Sequence, residues 1–137
     1  QNENVQNTAT VSLNHVKAKN FANLGMRLSE AELMAEETVR RQPDNVVFYD
    51  TLGWVLYKRK KYIDAITILE EATKLQKGVA AVHYHLGLAY LQTQQIEKGL
   101  EQLEMAFSLD RRFREAAKLE DLGIIQKIPE FRQLVNR

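Results

Sequence analysis

Leu52-Gly53 recurs 34 residues later as Leu86-Gly87, and the same interval relates Ala65 to Gly99, Leu69 to Leu103, Ala72 to Ala106 and Leu75 to Leu109. Self-similarity at a period of about 20–50 residues restricts a chain to stacked-repeat architectures, in which each unit buries its apolar face only against its neighbours. Function then belongs to a surface built by several units. No segment alternates apolar and polar residues long enough for a strand, so the class is all-α.

The residues that repeat are those that two closely packed helices need. Gly53 and Gly87 in one helix of each pair, with Ala65, Ala72 and Ala106 in the other, let backbones approach while Leu and Tyr fill the remaining space. Glycine inside a helix costs about 0.5–1 kcal/mol relative to alanine, so its return at the same phase signals a steric demand. Ser29-x-x-Glu32 reads as a capping box, and Pro43-Asp44-Asn45 as a stop followed by a cap. Helices are expected at about 10–25, 29–41, 46–59, 62–76, 80–93, 96–109 and 113–122, with a short one starting at Pro129.

These positions resemble the tetratricopeptide repeat, whose signature runs aromatic, Leu-Gly, aromatic, Ala-x-x-x-aromatic and Pro. Tyr49, Leu52, Gly53, Leu56, Ala65, Leu69 and Ala72 make one copy; His83, Leu86, Gly87, Tyr90, Gly99, Leu103 and Ala106 make the next. One period earlier, Ala31 and Pro43 fit, but Ala18-Lys19 stands in place of Leu-Gly. The resemblance implies a tetratricopeptide-repeat superhelix of antiparallel helix pairs with a C-terminal capping helix. Its parts are a disordered or linker segment 1–9 and a single domain 10–137, divided into a degenerate repeat 12–45, repeats 46–79 and 80–113, and a cap 114–137. The phrases Asp50 to Tyr57 and His83 to Gly87 look, more narrowly, like the last repeats of bacterial envelope proteins of the exosortase and exopolysaccharide systems.

In this family the first helix of each pair lines a concave groove that holds a peptide or protein segment. Carried onto this sequence, that face comprises Val47, Asp50, Thr51, Trp54, Tyr57 and Lys58, then Ala81, Tyr84, His85, Leu88, Leu91 and Gln92, and from the cap Lys118 and Leu122. Asp50, Trp54, Tyr84 and Leu88 stand where a clamp for a carboxylate terminus would need Lys and Asn, so that ligand is not expected. Trp54 has two readings: a binding anchor with a large apolar area and an indole N–H donor, or ordinary core covered by the helix around residues 10–25.

The remaining features narrow the function by exclusion. A formal net charge of +1 lacks the one-sided basic excess of a nucleic-acid binder. There is no cysteine for thiolate chemistry, and no apolar run approaches the roughly 18 residues of a membrane span. His83 and His85, two apart on a helix, point in opposite directions and cannot share a metal. No nucleophile with an oriented base, carboxylate pair, phosphate loop or metal motif is present, so no catalytic residue and no cofactor is expected. Lys58 to Lys61 and Arg111, Arg112 and Arg114 read as solvated turns on one rim.

The ends carry expectations of their own. Val11, Val16, Phe21 and Leu24 require cover, which suggests further repeats before residue 1 or a homo-oligomer formed through the N-terminal end. Phe131 and Leu134 are expected to fold back on the cap. The leading expectation is a non-catalytic protein-binding module within a larger bacterial scaffold, in the cytoplasm or periplasm. A self-assembling scaffold and a carbohydrate or exopolysaccharide-assembly factor are the alternatives.

Overall fold

A computed structural model describes the backbone of residues 2–137 and side chains from Thr8 onward. Eight α-helices follow one another among the described residues: α1 (Asn2–Leu24), α2 (Leu28–Arg41), α3 (Val46–Lys58), α4 (Tyr62–Leu75), α5 (Ala80–Gln92), α6 (Ile96–Leu109), α7 (Arg112–Leu119) and α8 (Pro129–Val135), with a 3₁₀ turn at Gly123–Lys127 before the last. Each odd helix through α5 packs on the even helix after it, and the odd helices touch in order, α1 on α3, α3 on α5 and α5 on α7. This is the expected tetratricopeptide superhelix. Its odd helices form the inner layer.

Close helix crossings hold the pairs together. A β-carbon on Gly53 would lie 2.5 Å from Cγ of Leu69. One on Gly87 would lie 2.9 Å from Leu103 and 3.0 Å from the Gly99 carbonyl oxygen, and one on Gly99 would lie 2.6 Å from Leu91. Leu69, Leu91 and Leu103 are buried, so none of them has an empty site to move into. The first pair has no glycine at its crossing, and small residues there are Ala18 and Ala22 of α1 and Ala31 and Ala35 of α2, all fully buried.

The segment Pro43-Asp44-Asn45 does what its sequence suggests. Asn45 caps α3, its Oδ1 accepting from Val47 N at 3.0 Å and Phe48 N at 3.4 Å. The capping box at Ser29 and Glu32 does not form. Helix α2 begins one residue earlier behind Arg27, which has φ 50 and no side-chain cap. Glu32 instead turns to the α3–α4 turn, where Arg59 donates at 2.7 Å and Lys61 at 3.1 Å. Two cations outbid one backbone N–H for a carboxylate.

Two further boundaries differ. Helix α1 begins at Asn2, so helical backbone runs through residues 2–9, where a linker was expected; no Gly or Pro lies there to stop it. The side chains of residues 1–7 lie outside the described residues. Helix α7 ends at Leu119 instead of near 122, and Gly123, with φ +61, turns the chain. Phe131 and Leu134 of α8 fold back as expected and are buried, as is Val135, with α8 packed on α6 and α7.

Candidate functional site

The inner faces of α1, α3, α5 and α7 form a concave surface whose floor is a run of ring contacts. Tyr62 packs edge-on against Tyr57 at 5.3 Å, and Trp54 stacks on Tyr57 at 5.1 Å and on His85 at 4.3 Å. Tyr84 then adjoins His85 at 5.7 Å and Phe113 at 5.0 Å. Rings from four helices thus form one connected series of contacts, each offset or tilted as aromatic quadrupoles prefer.

A second set of contacts stitches successive inner helices through polar groups. His15 Nε2 lies 2.7 Å from Thr51 Oγ1, His85 Nδ1 2.8 Å from Asp50 Oδ1, and Gln92 donates to the Tyr57 hydroxyl at 3.0 Å. The Tyr84 hydroxyl donates to Glu120 at 2.9 Å. All four bonds join residues 35 or 36 apart, slightly more than one repeat, so α1 bonds to α3, α3 to α5, and α5 to the residue that follows α7. Burial pushes the Tyr57 hydroxyl up to about 12, and burial together with the Glu120 carboxylate drives the Tyr84 hydroxyl higher still. Burial and the Lys19 ammonium lower the His15 imidazole.

Between its edges the surface holds a cavity of about 220 Å³, to which Lys19, Asp50, Trp54, Tyr84, Phe113 and Glu120 contribute. A second depression adjoins it, bounded by Asn23, Trp54, Tyr57 and Lys58 on one side and by Glu120, Asp121 and Leu122 on the other. The chain leaving α7 therefore forms one wall of the groove.

The expected groove residues divide accordingly. Asp50, Trp54, Tyr84, His85 and Ala81 line the first cavity; Tyr57, Lys58 and Leu122 line the second; Gln92 lines a further depression that shares Tyr57, Lys58 and Leu122 with the second. Trp54 is 7% exposed and its indole N–H donates to Asn23 Oδ1 at 2.8 Å, as core packing requires, and the residue also lines both depressions. Leu88 and Leu91 are buried and do not line it. Leu91 packs toward Gly99 of α6, and the 3₁₀ turn lies on α5. Val47 is half exposed at the start of α3 and borders none of these cavities. Lys118 pairs with Glu115 at 3.6 Å and lies beside Phe131 and Val135 of α8, away from the groove, because α7 ends early and turns that face toward the tail.

Lys19, Asn23, Phe113 and Glu120 belong to the site but were not expected there. One signal for Asn23 was available: it lies one period before Tyr57. The basic rim is partly neutralised, Arg59 and Lys61 by Glu32 and Arg112 by Asp110, while Lys58 lies 5.3 Å over the Trp54 ring.

Comparison with known proteins places this architecture. The family described as anaphase-promoting complex, cyclosome, subunit 3 matches residues 26–106. A comparison with curated proteins returns no match. Among solved structures, a Thermobaculum terrenum O-GlcNAc transferase superposes with a TM-score of 0.71 at 26% identity, over 80% of this chain and 21% of that one. The chain thus spans about a fifth of the transferase. The type III secretion translocator chaperone SycD of Yersinia enterocolitica gives 0.67 at 19% identity, covering 94% of this chain and 86% of that one. The first tetratricopeptide domain of Spaghetti, bound to an HSP90 peptide, gives 0.70 at 15% identity over 94% and 95%. These matches carry the repeat fold and not the narrower likeness to envelope proteins.

Proposed function

The chain belongs to the family described as anaphase-promoting complex, cyclosome, subunit 3, a tetratricopeptide-type repeat family, and on that premise we propose that it is a non-catalytic module that holds a segment of a partner protein in its concave groove. The observation that carries this reading is the cavity of about 220 Å³ on the inner face, ringed by side chains of α1, α3, α5 and α7. A concave site bounded by aromatic edges and a few placed polar groups is the usual form of a binding site. Tetratricopeptide domains that hold a peptide share this architecture, as the Spaghetti complex illustrates. A sugar-stacking role finds less support, since Trp54 is 7% exposed and already stacks on Tyr57 and His85.

The test is a binding comparison between two surface variants. Ala81→Trp fills the cavity from a half-buried position, whereas Met105→Lys alters the outer face of α6. Partner capture should fall at least fivefold in the first and hold in the second. Equal capture by both would remove the groove from consideration.

A second reading, self-association through the N-terminal end, rests on Leu13, Val16, Leu24 and Met26, each more than half exposed. Contiguous apolar surface of that kind seeks a partner. Sedimentation velocity should then show a dimer that Val16→Lys with Leu24→Lys converts to monomer. A wild-type monomer at high concentration would sink this reading.

A further inference from the structure

Helix α1 is lightly held. Among the described residues it buries only Val11, Ala18 and Ala22, whereas α5 buries nine residues, and its outer flank is open at Leu13, Val16 and Leu24. A helix with so few buried contacts opens at low cost. Two polar bonds fix it to α3: Asn23 accepts from the Trp54 indole at the last turn of α1, and His15 Nε2 meets Thr51 Oγ1 at 2.7 Å nearer its middle. Only the second contains a group that titrates.

The surroundings of His15 oppose charge on it. Its ring lies 4.9 Å from that of Phe48, and its partner Thr51 is buried. A neutral imidazole nitrogen can accept the Thr51 proton; a charged one only donates, and Thr51 must then turn its own proton elsewhere. Lys19, one turn on along α1, repels a second cation, Asp50 of α3 favours one, and no charged group of α2 acts on His15 among the described residues. Asp50 is itself engaged, its Oδ1 lying 2.8 Å from Nδ1 of His85 on α5. Burial and Lys19 therefore prevail over Asp50 and hold the imidazole below its ordinary value of 6.5.

The neighbouring junctions respond differently. Protonation of His85 turns its bond to Asp50 into an ion pair between α3 and α5, and it occupies the carboxylate that would otherwise shelter a charged His15. The Gln92 bond to Tyr57 contains no group that titrates in mild acid. Glu32, which ties α2 to the α3–α4 turn, stays ionised there because Lys61 and Arg59 hold it below 4.5.

We propose that His15 is an acid-sensitive latch: mild acid frees α1 from α3 and withdraws Lys19 and Asn23 from the groove wall, while α2 and α3 to α6 keep their places. A base that is harder to charge docked than free supports docking in full above about pH 6.5, and that support is lost as pH falls below it. The latch goes beyond the groove reading and does not depend on it, since the release of a helix is measured without a partner.

The test is native-state hydrogen exchange of the full chain at pH 7.5 and 5.5, corrected for intrinsic exchange rates. The opening constant of amides 15–22 should rise about threefold or more at the lower pH, while that of amides 86–91 in α5 holds. His15→Gln keeps an amide within reach of Thr51 but does not titrate, so the rise should vanish although His83 and His85 remain. Lys19→Gln, an exposed substitution, should shrink the rise by letting the docked imidazole return toward its ordinary value. Should His15→Gln loosen α1 at both pH values, the Lys19→Gln comparison decides. Equal opening at the two pH values, a rise that survives His15→Gln in a docked helix, or one unmoved by Lys19→Gln would overturn the latch. A rise shared by α5 would mark a general loss of stability and overturn it as well. None of these outcomes touches the groove reading, which capture by the Ala81→Trp variant decides.

Discussion

The first and third helix pairs meet the same packing demand with different residues. At the α5–α6 crossing, Gly87 and Gly99 face each other so closely that a β-carbon on either would lie 3.0 Å from the other's carbonyl oxygen. At the α1–α2 crossing, four fully buried alanines serve instead. The surroundings differ too. Helix α5 is enclosed by α3, α4, α6, α7 and the 3₁₀ turn, whereas among the described residues α1 packs on α2 and α3 alone and leaves Leu13, Val16 and Leu24 exposed. An enclosed helix cannot move to admit a methyl group, while one open on a side can. The repeat signature therefore records confinement, and it loosens where confinement ends.

The largest effect should come from Trp54→Ala, which removes the side chain on which α1 docks through Asn23. A loss of about 3–5 kcal/mol is expected, as for other buried aromatic truncations, with chemical denaturation followed by far-ultraviolet circular dichroism as the measure. A loss below 1 kcal/mol would show the terminal pair to be independent of α3. Next, Gly87→Leu should cost about 3 kcal/mol, at the upper end of overpacking penalties because one clashing atom is backbone. The matching change in the open pair, Ala35→Leu, restores the residue found at Leu69 and should cost about 1 kcal/mol, since α1 has a free side toward which to shift. Equal penalties at the two crossings would break the contrast.

The smallest effect concerns the ion cluster that ties α2 to the α3–α4 turn. Burial alone would raise the Glu32 carboxyl, but hydrogen bonds and charge from Lys61 and Arg59 outweigh it and hold the group below its ordinary value of 4.5. A depressed folded-state value means that the cluster stabilises the protein above about pH 4.5 and that this contribution is lost as pH falls through the lower folded value. Glu32→Gln should flatten that part of the acid-denaturation curve and cost about 1 kcal/mol at neutral pH. An acid limb unchanged by the substitution would assign it to other carboxylates.

Much of this architecture is legible in the sequence because its cause is local or periodic. The 34-residue interval, the Asn45 cap and the two glycines place α3 to α6 within a residue or two of their observed ends. Side-chain destination is harder to read. An inner helix has one apolar flank toward its partner and another toward the next inner helix, and periodicity does not say which is left open. That is why Leu88 and Leu91, expected in the groove, are interior, and why Trp54 had two readings. Glu32 fits a capping box locally, but its partners lie 27 and 29 residues away. Glu120 enters the groove only because α7 stops at Leu119, a stop no Pro or Gly announces before Gly123.

Trp54 is the sole tryptophan of the chain and stacks on both Tyr57 and His85. A chromophore fixed in such asymmetric company gives a near-ultraviolet dichroic band that depends on the packing of three inner rings and not on helix content. The molecule thus carries a label-free gauge of its groove. Loss of that band while the far-ultraviolet helical signal persists would mark a state in which the helices remain but the inner face has come apart.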